Sequence, residues 1–165
     1  MNTTGVIGKT VSRTATISLN GSVDEVFPLF GPVREKDWAE GWDPRVVYST
    51  TGLLDEHMVF QTKTEYPDQE SDKTWVVSRY DPEARSIEYT VCTSARLYWI
   101  TIRCAEGDDG PRSTRAEVTY TFTALTESAE TLIERAARDM FAHDLKDWES
   151  AINAYLAGAK SPPSP

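Results

Sequence analysis

The sequence predicts an α+β fold in which an antiparallel sheet of about seven strands is covered by one long C-terminal helix. Three observations carry this. Runs rich in Val, Ile, Thr and aromatic residues repeat through residues 45–124 with short turns between them. A run alternating with Ser and Thr precedes them at 11–20, and an uninterrupted helical pattern occupies 127–158. Connections this short join antiparallel neighbours, because a parallel pair needs a crossover of roughly a dozen residues. The expected organisation is an N-terminal extension over 1–10, one domain over 11–158 and a flexible tail over 159–165.

In "VSRTATISLN" the residues Val11, Ala15, Ile17 and Leu19 alternate with Ser and Thr, the period of a half-buried strand, with Arg13 as the exception on the apolar face. Ser22 and Glu25 have the spacing of a capping box, so a short helix starts there, and Pro28 limits its extension. Gly31-Pro32 punctuates it. A second short helical piece follows at 33–40 and ends before "GWDP". Strands are expected near 45–51, 57–65, 73–80, 86–93, 96–105 and 113–124, with the first strand of the chain at one sheet edge.

One register follows from turn chemistry. If Ser94-Ala95 is a two-residue loop, Thr93 faces Arg96, which sets Val91 against Tyr98, Tyr89 against Ile100 and Ile87 against Ile102. Ala116, Val118, Tyr120 and Phe122 continue that inner face. The sheet therefore has one wet side and one strongly aromatic side. In the last helix Glu127, Glu130 and Glu134 crowd the start and Gly158 the end, as the helix dipole and a glycine stop require. Its stripe runs through Ile133, Ala137, Met140, Phe141, Leu145, Trp148, Ile152, Tyr155 and Leu156, a face wide enough to press along the whole sheet.

With 165 residues, 39% hydrophobic and 26% charged, the chain has room for a real core. The net charge of -9 argues against nucleic acid and against anionic membranes. No apolar run approaches the roughly 18 residues of a membrane span, and "MNTTGVIGKT" lacks the features of a secretory signal. A cytoplasmic location is the expectation. Cys92 and Cys104 sit in strand-like runs outside any C-x-x-C pair, which suggests reduced structural thiols, a disulfide being the alternative.

The order of strand, two short helices, six antiparallel strands and a long amphipathic helix resembles the START-like, helix-grip superfamily (SRPBCC), which includes polyketide cyclases and dehydrases. The likeness covers about residues 10–158. It is carried by "ISLNGSVDEVFPLF", by "WVVSRYDPEARSIEY" and by the Trp- and Tyr-bearing final helix. The resemblance implies a curved sheet wrapped around the last helix with an apolar cavity between them. It implies a small-molecule binding role, while the scaffold hosts binders, carriers, cyclases and chaperone-activating domains alike.

Large aromatic side chains on a concave face that do not all interdigitate with a helix line a pocket. The sheet offers Tyr48, Phe60, Trp75, Tyr89, Tyr98, Ile100 and Tyr120 for this, and the helix Met140, Phe141 and Trp148. A filled core is the alternative for each. "REKDWAEGWDPRVVY" lies where helix-grip proteins carry the segment over the cavity mouth. There Trp42 closes the pocket and Trp38 anchors the segment, or both pack on the rim.

Asp144 shares the helical arc of Ala137, Met140, Phe141 and Trp148, so it is directed toward the sheet. Burial would raise its pKa and suit it to general acid–base work, with a structural acceptor role as the alternative. Arg79, on the inward alternation of Trp75 and Val77, is its expected ionic partner and the second candidate catalytic residue, with reaching to water from the strand end as the alternative. Asp37, Glu40 and Asp43 surround the tryptophans and could hold a cationic ligand or form a solvated acidic face. His143 and His57 both read as outward-facing, and two histidines that do not converge make a metal site improbable. No cofactor is expected.

The resulting expectation is binding of a small, mainly apolar, aromatic or polyketide-like ligand. A cofactor-independent cyclase or dehydrase is the alternative, and a protein-interaction or chaperone-activating domain the second. A binder needs only a closed cavity, a cyclase needs converging polar groups inside it, and an interaction domain presents its aromatics outward.

Overall fold

The computed structural model describes residues 8–159. Strand β1 (Thr10–Leu19) leads through a short helix α1 (Val23–Val26), a 3-10 turn (Phe27–Phe30) and a second 3-10 turn (Arg34–Asp37). There follow β2 (Arg45–Tyr48), β3 (Val59–Thr62), β4 (Lys73–Asp81), β5 (Ser86–Cys92), β6 (Arg96–Gly107) and β7 (Gly110–Ala124). The chain closes with α2 (Ala129–Asp139) and α3 (Leu145–Ala159), joined by a π turn over Met140–Asp144. Of the expected extension and tail, residues 1–7 and 160–165 lie outside the described residues, while Thr10 already belongs to β1.

The strands form one curved antiparallel sheet in the order β1-β7-β6-β5-β4-β3-β2. β1 joins the edge through β7, and its Ser/Thr face makes hydroxyl pairs Thr10–Thr123, Ser12–Thr121 and Thr14–Thr119 at 2.8–3.0 Å. Such cross-strand pairs stabilise the wet side locally. The β5–β6 register is the expected one, with Val91 opposite Tyr98, Tyr89 opposite Ile100 and Ile87 opposite Ile102. Ser22 caps α1 with the reciprocal Ser22–Glu25 capping box. Ile17, Leu19, Phe30, Ile133, Ile152 and Leu156 are buried between the layers.

Two regularities break, and both breaks aim side chains. A β-bulge between Val77 and Arg79 reverses the alternation of β4, so Tyr80 pairs with Ile87 and stacks on Phe27 while Arg79 is exposed. An extra residue in one strand of a pair has this effect. In the C-terminal helix the Leu145 N–H donates to the Met140 carbonyl, an i→i+5 bond that interrupts the expected uniform helix. Cys92 and Cys104 are both free thiols; burial pushes the Cys104 thiol up to about 12, which keeps it protonated and inert.

Candidate functional site

The inner face of the sheet, the second 3-10 turn and the C-terminal helix enclose a cavity of about 220 Å³. Period-two alternation brings Trp75, Tyr89, Tyr98 and Tyr120 inward from four neighbouring strands. Ile100 sits between the tyrosines, opposite Tyr89 on one side and Tyr120 on the other. The helix contributes Met140, Asp144 and Trp148, spaced four apart across the π turn. These side chains line one common space.

Trp38 and Trp42 both reach this cavity from an otherwise polar segment. The Trp38 indole N–H donates to the Leu29 carbonyl at 2.8 Å, and that of Trp42 to the Pro32 carbonyl at 2.7 Å. Trp38 is thereby fixed to the first 3-10 turn and Trp42 to the connection that follows it. Trp38 stands edge-on to Trp148 at 5.9 Å, and Trp42 edge-on to Trp75 at 5.6 Å. Trp42 also borders an outer groove with Arg45, Lys63 and Asp72, so it divides cavity from mouth. Gly41, at φ 77°, makes the turn that delivers it.

Four expected residues are placed elsewhere. Tyr48 is 52% exposed on the edge strand β2, which is too short and too far out for an inner face. Phe60 stacks behind Trp75 at 5.2 Å and is core. Phe141 is rotated beside the cavity, edge-on to Tyr120 at 6.0 Å. Arg79, exposed by the bulge, is not the partner of Asp144. Asp37 pairs with Arg34 at 2.8 Å outside the cavity, and both histidines are exposed.

Residues 10–151 match the family described as polyketide cyclase/dehydrase and lipid transport. This chain belongs to that family. No curated protein matches it. Among solved structures it is similar to norcoclaurine synthase from Thalictrum flavum in complex with dopamine and hydroxybenzaldehyde, at 14% identity and a TM-score of 0.68, covering 98% of this chain and 97% of that one. It is also similar to a START superfamily protein from Mycobacterium smegmatis (11%, TM-score 0.62, 88% and 97% covered) and to the protein XoxI from Bacillus cereus (19%, TM-score 0.62, 92% and 99% covered). At these identities the likeness is one of fold. The helix-grip architecture is thus shared.

Sequence reasoning missed most of those groups. Glu35 lines the cavity from the second 3-10 turn, and desolvation holds its pKa well above the ordinary carboxylate range. Residues three apart eclipse in a 3-10 helix, so Glu35 shares the inward face of Trp38. That spacing was the available signal. Asp144 is raised too, first by desolvation and then by Asp139 and Asp147. Among the described residues neither carboxyl has a hydrogen-bond or ion-pair partner.

The cations of the cavity are compensated. Lys73, largely buried, pairs with Glu65, although burial still lowers its pKa. Arg96 is held by Glu70 through bonds of 2.8–3.0 Å and lies over the Tyr98 ring at 4.7 Å. Tyr66 is flanked by the guanidinium groups of Arg96 and Arg135, which ties the loop after β3 to α2. Among the described residues no group of three or more His, Cys, Asp or Glu converges as a metal site, and no helix is long and apolar enough to cross a membrane.

Proposed function

We propose that this domain binds a small, mainly apolar, aromatic molecule in the cavity between sheet and helix, as a protein of the cytoplasm. The aromatic wall around about 220 Å³ of space carries the reading. An apolar cavity of about 150 Å³ admits benzene, so this volume suits a ligand of one or two rings, the small end of the polyketide-like range. Support for that size comes from the norcoclaurine synthase complex, whose dopamine and hydroxybenzaldehyde are single-ring molecules. The aromatic side chains turn inward, as cavity binding requires and an interaction domain does not. A ligand at a hundredfold its dissociation constant is expected to stabilise the fold by about 2.7 kcal/mol. A thermal-shift series of substituted benzenes and naphthalenes reads this directly, and the absence of any concentration-dependent rise would remove cavity binding.

One observation favours a second reading, a cofactor-independent cyclase or dehydrase. Glu35 and Asp144, two carboxyls with raised proton affinity, line the same cavity, and groups poised nearer neutrality serve proton transfer best. Binding and stability are expected to survive chelator treatment on either reading. Stoichiometric zinc by elemental analysis, with binding lost on its removal, would contradict both.

A further inference from the structure

We propose that the cavity is selective for an aromatic amine in its protonated form, whose ammonium group is taken by the unpartnered carboxyls of Glu35 and Asp144 within the tryptophan and tyrosine wall. This rests on the cavity-binding reading and adds the ligand's charge.

Three features of the wall agree. Aromatic faces carry the negative side of the ring quadrupole and attract cations, most strongly for Trp. Trp38 and Trp148, edge-on at 5.9 Å, and Tyr120, tilted at 6.4 Å from Trp148, all line this one space and offer it aromatic surface. Glu35 and Asp144 reach the same space from opposite elements, the second 3-10 turn and the C-terminal helix.

The cavity's own cations cannot serve these carboxyls. Lys73 is engaged by Glu65 and Arg96 by Glu70. A neutral ligand would leave Glu35 and Asp144 without a partner in a desolvated site, where an unpaired polar group is costly. An anionic ligand would meet two carboxyls and no free counter-charge. A cation on an aromatic body satisfies the carboxyls and the ring faces together.

Calorimetric titration with three isosteric probes tests this: 2-naphthylmethylammonium, 2-naphthylmethanol and 2-naphthoate. The ammonium is expected to bind at least about tenfold tighter than the alcohol, the scale of one hydrogen bond to a charged group, and the carboxylate to bind weakest. In Glu35→Gln the preference for ammonium over alcohol should fall below about threefold. Asp144→Asn provides a second variant should the first fold poorly. Equal or tighter binding of the alcohol, tightest binding of the carboxylate, or an ammonium preference that persists in both variants would overturn the proposal. Alcohol binding without ammonium preference would leave the cavity reading standing and remove this inference alone. Failure of all three probes would remove both.

Discussion

Arg96→Met is expected to destabilise the fold by about 3–5 kcal/mol, the range for removing one partner of a buried ion pair. The side chains of Arg96 and Glu70 are 3% and 0% exposed, so the surviving carboxylate would be left inside the protein. The pair joins the loop after β3 to the start of β6, and Thr64 adds a bond of 2.9 Å to Glu70. Replacing both members, as Arg96→Met with Glu70→Leu, should recover most of the loss, because no charge then remains unpaired. Urea denaturation of the two variants measures this. A cost below about 1 kcal/mol for the single change would contradict it.

The same pair sets a pH dependence. Burial alone would raise the Glu70 pKa, but hydrogen bonds from Arg96 and Thr93 outweigh it and the net shift is downward. A carboxylate depressed on folding contributes stability that is complete above its unfolded pKa of about 4.3 and is lost as pH falls through the folded value. In Arg96→Met the strongest opposition to burial is lost, leaving only the hydrogen bonds from Thr93 and Thr64, so the Glu70 pKa moves upward. That variant should gain stability relative to wild type as the medium is acidified.

What could be read from the sequence divides along physical lines. The β5–β6 register was legible because a two-residue loop and strict alternation over Ile87, Tyr89 and Val91 fix the pairing with no free parameter. The inward aim of Trp75 followed from the same rule. Four residues later along that alternation, at Arg79, the rule failed, since a bulge adds a residue that no hydrophobic pattern announces. The C-terminal stripe was legible as a whole because burial decides it over many turns, whereas the local π turn redirected Phe141. Glu35 escaped for a different reason. Its four-residue turn is too short to show a period, and an α-helical phase pairs Trp38 with Trp42 instead of with Glu35.

Asp144→Asn and Glu35→Gln are expected to lower turnover of a small polyketide-like substrate by roughly 10²- to 10⁴-fold on the enzymatic reading, the usual contribution of a general acid or base. The structure adds a second readout that a structural carboxylate would not give. Were Asp144 satisfied by Arg79 or by a pocket hydroxyl, Asn would cost stability. Its carboxyl has no such partner among the described residues, and its pKa is raised chiefly by desolvation. A carboxyl whose pKa rises on folding opposes folding at any pH where it is ionised in the unfolded chain, and the opposition fades as pH falls through the folded value. Removing the ionisable group at neutral pH should therefore leave the melting temperature unchanged or higher, with the difference from wild type shrinking in acid. Glu35, raised well above its ordinary range by burial, should behave in the same direction. Loss of turnover accompanied by equal or greater stability is the pattern of a strained functional site. A clear fall in melting temperature for both variants, with turnover intact, would instead assign these carboxyls to holding the fold.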